Sequence, residues 1–521
     1  MRKILMRGGM TPLDNLTPEV VIANNSIGAN SGNLLYAYGV YRTLMTEDTV
    51  IDMDYYGVER SYTDADIARI NEEYDAYVCP LADAFRDAFT EKLEKYANFF
   101  NKLTIPCYVI GVGLRAPYEP EIGTPRVFDE AAKKFVKAAL DKSSIIGLRG
   151  EITGEYLKTL GFREDVDYMP IGCPSMYALG RELPQRPLQL SESSKIAFNL
   201  SSITPENIMR FAFNEMQVYK DHYLIEQNRD ELRLLYYGDQ YRPRKTASPL
   251  LPRKLSNPLL REDRYHIFIN VPTWLEFLRG MDLSIGSKLH GNVAGIMAGC
   301  PTLFMPLDSR MRELVAYHDF PSIPYMDVRE DDRIKELISR VDLTSHLKKQ
   351  AQNFDRFVGF LDRNGCQHIY SDDITRTTVP LDEKMAQISY HQVVSILYSS
   401  PEEILRRIQI TTEEKDATIS KLKKKVSSMA SLEEIVAEKA AAIESLEVQL
   451  SEQEAVKASV KEKVLLIKAL RAELASQKQE IEDQQKEIVD KNAILDRPGV
   501  QFALRMLEKY PKLENWLKNK L

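Results

Sequence analysis

From its first residue to about Arg181 the chain alternates short apolar runs with stretches whose apolar residues return at helical spacing. The runs are RKILM, EVVIAN, TVIDMDYY, DAYVCP, PCYVIGVG and SIIGLRG. Strands alternating with helices build a mainly parallel sheet covered on both faces, so an α/β unit is expected here. A second series begins at KIAFNLSS, Lys195 to Ser202, and continues through LRLLYY, YHIFINV, DLSIG and PTLFMP. Between the two series lies ELPQRPLQLSESS, whose prolines and serines suit a hinge. The pattern therefore predicts two Rossmann-like lobes, at 1–183 and 184–400.

The pattern changes in kind after Ser400. Glu402 to Arg497 contains no glycine, proline or aromatic residue, and Ser400, Pro401 and Glu403 fit a helix start with a capping box. Apolar residues fall at three- and four-residue steps through Ile419, Leu422, Val426, Met429, Val436, Ala440 and Ile443. They resume in a shifted register from Val460 through Ile467, Leu470, Leu474, Ile481 and Ile488. This predicts a long α-helical coiled coil over 401–497 with at least one register break. Unbroken, it would reach roughly 140 Å at ~1.5 Å per residue. Such a rod cannot bury its seam alone, so a homo-oligomer is expected. Residues 498–521, with Phe502, Met506, Tyr510, Trp516, Leu517 and Leu521 among lysines and arginines, read as an amphipathic helical segment. It would either cap the coil or lie on anionic lipid.

Composition narrows the class. The 521 residues are 44% apolar and 28% charged, enough to bury several cores. A net charge of -7 argues against a general nucleic-acid footprint. One basic exception is 241–264, with four prolines and seven Lys or Arg against two acids, which reads as a solvated loop or as a lid over an anionic ligand. The five cysteines are scattered without zinc spacing and read as reduced, buried thiols. MRKILMRGGM lacks a cleavage site, and no apolar run approaches the ~18 residues that span a bilayer, so the expected place is the cytoplasm, with at most peripheral contact at the inner face of the membrane.

Several segments carry possible chemistry. GVGLRA, Gly111 to Ala116, imitates a dinucleotide fingerprint, but Pro117 and Pro120 stand where its helix should open. Asp52 and Asp54 form a DxD, which holds a metal and a sugar diphosphate in many glycosyltransferases and is elsewhere just a pair of solvated acids. In IGANSGNLL, Asn30, Ser31, Gly32 and Asn33 precede a helix whose free N–H groups bind an anion or a sugar hydroxyl, or are simply capped. In SIGSKLHGNVAGIMAGCPTL, Lys288, His290 and Asn292 fall in the turn at the carboxyl end of a buried strand, where α/β sheets bind ligands. The glycines and alanines that follow let the next helix approach the sheet.

Taken together, IGANSGNLL and SIGSKLHGNVAGIMAGCPTLFMPLDSRMREL, with PCYVIGVGLR and SIIGLRGEITGEYLKTLGF between them, resemble the polysaccharide pyruvyl transferase family over about Met1 to Ser400. The resemblance implies a GT-B-like arrangement of the two lobes with the active site in the cleft. It also implies transfer of the enolpyruvyl unit of phosphoenolpyruvate to saccharide hydroxyls, giving a pyruvate ketal on a cell-surface or lipid-linked glycan. The family's Arg-Leu-His turn is matched by Lys288-Leu289-His290, with lysine in place of arginine. By the same resemblance His290 would be the general acid that protonates the methylene carbon, or would assist phosphate departure, while Lys288, Arg115 and Arg149 would hold phosphate and carboxylate. Asp308 and Arg310 would orient His290 or bind donor, Ser287 and Asn292 would complete the donor site, and Asn30, Ser31, Gly32 and Asn33 would meet the acceptor. No metal or organic cofactor is implied. A glycosyltransferase using a sugar nucleotide, or a coiled-coil scaffold of a glycan-assembly complex, are the competing expectations.

Overall fold

Strands whose every residue is apolar and buried need a sheet covered on both faces, and Ala76–Pro80 and Cys107–Ile110 are two of these. The computed structural model describes residues 1–240, 247–451 and 457–495. Its strands are β1 (Arg2–Met6), β2 (Thr49–Met53), β3 (Ala76–Pro80), β4 (Cys107–Ile110), β5 (Ile146–Leu148) and β6 (Tyr168–Pro170), then β7 (Ile196–Asn199), β8 (His222–Glu226), β9 (Tyr265–Ile267), β10 (Leu283–Gly286) and β11 (Thr302–Phe304). The first lobe has a parallel sheet in the order β2-β1-β3-β4, extended by the parallel β5-β6 pair through a bridge between Val112 and Leu148. The second has a parallel sheet in the order β11-β10-β7-β8-β9. The architecture is thus α/β with two Rossmann-like lobes in a GT-B-like arrangement. In each, the strand order reverses beside the first strand, which opens a crevice at the carboxyl ends.

Two expected strands are helices. EVVIAN lies in the helix Pro18–Asn24, started by Thr17 and Pro18, and LRLLYY lies in Arg229–Tyr237, which stops at Gly238 in the left-handed region. A short apolar run does not separate a buried strand from a buried helix face, and the capping residues decide it. β6 and β8 were not anticipated, because YMP is too short and HYLIE too polar at its start to stand out.

The lobes are tied together at several points. Ser31 N donates to Gln227 O at 2.7 Å and Arg229 N to Ala29 O at 3.1 Å. On the other side of the cleft Ala116 N donates to Ser309 Oγ at 2.9 Å. The chain then returns to the first lobe. Arg356, in the helix Ser345–Arg363, donates to Pro170 O at 2.8 Å, and Asn364 Oδ1 accepts from Ser144 N and Ile145 N. Further on, Arg42 pairs with Asp382 and Asn15 donates to Ser389 O.

Met1–Gly238 and Pro243–Tyr398 form one compact unit, and Asp239–Arg242 with Ser399–Leu521 the other. The second contains the helices Pro401–Ser451 and Lys457–Leu495. Lys439 pairs with Glu473, residues that a continuous helix would hold roughly 50 Å apart at ~1.5 Å per residue. The expected rod is therefore a hairpin. Leu422, Ile443, Ile467 and Ile481 are buried in this single chain, so part of the seam is covered without a second copy. Segment 498–521 and residues 241–246 of the basic stretch lie outside the described residues. Among the described residues no helix is long and apolar enough to cross a membrane.

Candidate active site

The helix Leu289–Met297 follows β10 and lies hard against the sheet, because Gly295 leaves no gap. A Cβ there would sit 2.7 Å from Thr302 Oγ1 and 2.9 Å from Ser284 Cβ. Its first turn projects His290 toward the other lobe. There the imidazole meets Gly32, at the start of the helix Gly32–Leu44, and a Cβ on Gly32 would come within 2.6 Å of His290 Nδ1. On the other side of the ring, Cys173 Sγ lies 3.9 Å from Nε2. Burial, with Arg149 and Arg310 beside it, pushes the imidazole down to about 3, so the ring is neutral in the free protein at neutral pH.

Arg149 is the least expected member of this group. Its residue is fully buried, yet Nε, Nη1 and Nη2 all lack a hydrogen-bond partner. The guanidinium lies 5.5 Å from the Tyr36 ring centroid, a cation–π contact that accounts for only part of its charge. Gly113 makes room for it, since a Cβ at that position would stand 2.8 Å from Arg149 Cδ. Next to it three more guanidiniums converge on one carboxylate. Asp83 accepts from Arg86 at 2.8 Å, Arg310 at 3.2 Å and Arg115 at 3.4 Å, and this positive surround outweighs partial burial and holds the half-buried acid below the usual carboxylate range. Such a cluster, with one buried cation unsatisfied, is suited to a small multivalent anion.

Other expected site residues are placed differently. Lys288 is buried and its ammonium donates to Glu226 Oε2 at 2.9 Å, so the lysine serves as counterion to a buried acid instead of joining His290. Burial raises Glu226 to about 7 against the pull of Lys288. Asn292 is fully buried in a network with Asn199, Ser284 and the Gly286 carbonyl, and Ser287 Oγ lies 2.7 Å from Thr204 Oγ1. Both organise the turn that carries His290. Asp308 caps the helix Ser309–His318 by accepting from Met311 N, and also pairs with Arg310. Asn30 donates to Asn228 Oδ1 and Ser31 bonds the Gln227 carbonyl, so these two join the lobes. Asn33 donates to the Ile27 and Gly28 carbonyls. In the DxD, Asp54 is buried under bonds from Gly8 N, Tyr56 N and Tyr77 Oη, while Asp52 accepts from Tyr74. Among the described residues no three His, Cys, Asp or Glu side chains are grouped to hold a metal ion.

A cavity of about 420 Å³ opens beside the arginine cluster, between the carboxyl ends of β1 and β3. Arg7, Asn33, Tyr56, Asp83, Arg86 and Lys92 are among its walls. Asp83 belongs to both the cavity and the arginine cluster.

The sequence pattern of the polysaccharide pyruvyl transferase family matches residues 30–309, more than half of the chain. The chain belongs to that family. No curated protein matches it. Solved structures similar to it include S. aureus MnaA with UDP, at 13% identity over 73% of this chain and 99% of that one, with a TM-score of 0.37. Another is the UDP-N-acetylglucosamine 2-epimerase of Rickettsia bellii, at 10% identity over 70% of this chain and 96% of that one, also with a TM-score of 0.37. The glycosyltransferase SnogD from Streptomyces nogalater shares 12% identity over 70% of this chain and 98% of that one, with a TM-score of 0.29.

The span matched by the family contains His290, Arg149, Arg115 and Asp83, and its end reaches Ser309 beside Arg310. Reading the sequence alone passed over Asp83, Arg86 and Cys173. A signal for the first two existed: LADAFRD sets charged residues just past the wholly apolar β3, at a strand carboxyl end. Cys173 had none, because its nearness to His290 comes from the opposite lobe.

Proposed function

We propose that this transferase moves the pyruvyl group of phosphoenolpyruvate to two hydroxyls of a saccharide, forming a pyruvate ketal and releasing phosphate. The observation that carries this reading is Arg149, a fully buried guanidinium with three unbonded nitrogens beside a neutral histidine. A compact donor with both phosphate and carboxylate supplies the missing acceptors, and Arg310 and Arg115 stand ready for its second anionic group.

The donor's negative charge offsets the field of Arg149 and Arg310, so the pKa of His290 rises when donor binds, and the ring takes up a proton. His290 then delivers that proton to the methylene carbon, leaving an oxocarbenium-like centre at the neighbouring carbon. One acceptor hydroxyl adds there and loses its proton, the carbon–oxygen bond to phosphate breaks, and the second hydroxyl adds and loses its proton. One of the two protons restores His290 and the other leaves on phosphate. Asp83, shared by cavity and cluster, accepts a hydrogen bond from the incoming hydroxyl and orients it. Incubation with phosphoenolpyruvate and a panel of saccharides tests this: the expected result is phosphate release with an acid-labile ketal, lost in Arg149→Gln. Silence across neutral and anionic saccharides, with no stabilisation by phosphoenolpyruvate, would reject it.

A further inference from the structure

The cavity between β1 and β3 carries more positive charge than its own carboxylates balance. Arg7, Arg60, Arg86 and Lys92 line it, against Glu59 and Asp83. Glu59 is shared, with Arg7 on Oε1 and Lys92 on Oε2, so one carboxylate serves two cations. Asp83 is shared further, by Arg86, Arg115 and Arg310. Arg60 is exposed and has no ion-pair partner among the described residues. Arg86 Nε is buried without a hydrogen-bond partner. Aromatic faces stand between these charges: Arg7 lies over Tyr56 at 5.0 Å, and Arg86 and Lys92 lie over Phe89 at 5.5 and 5.1 Å. The volume of about 420 Å³ is within the range of small-ligand sites.

A neutral saccharide would fill this space and leave the surplus charge unanswered, whereas a saccharide with an anionic substituent answers both. We infer that the cavity is the acceptor site and that its acceptor is an anionic saccharide, a sugar bearing phosphate or carboxylate. The anion lies against Arg60 and Lys92, the ring beside Tyr56 and Phe89, and the reacting hydroxyls face Asp83. This rests on the donor reading above only for the direction in which the hydroxyls point.

Calorimetric titration of the 521-residue chain tests it, with glucose 1-phosphate, glucuronate and glucose as probes. The proteins are the wild type, the Arg60→Gln/Lys92→Gln double variant and Arg149→Gln. At least one anionic probe should bind the wild type ten times or more tightly than glucose, and which of the two binds better identifies the anion. That advantage should shrink to within threefold in the double variant and persist in Arg149→Gln. Equal binding of glucose overturns the inference, as does an advantage that disappears in Arg149→Gln but survives in the double variant, which would put the anion beside His290. Should the double variant fail to fold, Arg60→Gln alone, at an exposed position, must still weaken the anionic probe threefold or more. Phosphoenolpyruvate is titrated into the same wild-type protein. If it fails to bind while the anionic probe shows the expected pattern, the donor reading falls and the cavity assignment stands.

Discussion

Arg149→Met separates a binding arginine from a structural one. Methionine keeps the unbranched stem and removes the charge, so the free protein loses a buried group whose three nitrogens have no hydrogen-bond partner. Leaving a buried donor unsatisfied costs about 1–3 kcal/mol, and the cation–π contact with Tyr36 returns about 0.5–2 kcal/mol of that. The free variant should therefore lie between about 1 kcal/mol less and about 2.5 kcal/mol more stable than the wild type. Donor binding should move the opposite way. Two charge-assisted hydrogen bonds at about 1.5–3 kcal/mol each amount to about 3–6 kcal/mol, or roughly a hundredfold to ten-thousandfold in affinity. Thermal unfolding with and without phosphoenolpyruvate reads both effects. At a hundred times its dissociation constant the donor stabilises the wild type by about 2.7 kcal/mol and should leave the variant almost unmoved. The reasoning fails if the free variant loses more than about 2 kcal/mol while the donor-induced shift is undiminished, because the guanidinium would then be holding the fold.

Three further outcomes follow from the same geometry. His290 is pushed down to about 3 in the free protein, below an ordinary value of ~6.5, so its ring resonances should not titrate between pH 5 and 8. On the proposed reading the donor's negative charge raises that value, so binding should be accompanied by proton uptake and should weaken as pH rises through the new pKa; calorimetry in two buffers of different ionisation enthalpy reads the uptake. Gly32→Ala puts a Cβ 2.6 Å from His290 Nδ1 and 2.8 Å from Asn30 Oδ1, so kcat/KM should fall at least tenfold, with a stability loss of about 1–3 kcal/mol seen in denaturant unfolding. Glu226→Leu leaves the buried Lys288 ammonium with no acceptor and should cost about 3–5 kcal/mol, whereas the Glu226→Leu/Lys288→Met pair should be close to neutral; a denaturant double-mutant cycle checks both.

The Lys288–Glu226 pair illustrates what a one-dimensional reading loses. Lys288 and His290 are two residues apart at a helix start, and such positions do not face the same way. The chain shows that both are near a strand end, but not that Glu226, from β8, lies under one of them. Asn30 and Ser31 are similar. Their short polar side chains before a helix suit a ligand or a cap, and the second lobe supplies the partners that use them, Asn228 and Gln227.

The hydrophobic periodicity by itself determined the α/β class, most of the strands, the helical tail and the position of His290 at the carboxyl end of β10. It does so because burial and helical or strand period are local properties of consecutive residues. Only the tertiary structure decided that Arg149 is left unbonded, that Asp83 joins the arginine cluster to a cavity, and that the tail folds back on itself. Each of these depends on groups from strand ends or helices far apart in the chain. The field, the desolvation and the contacts that govern them arise only when those elements meet.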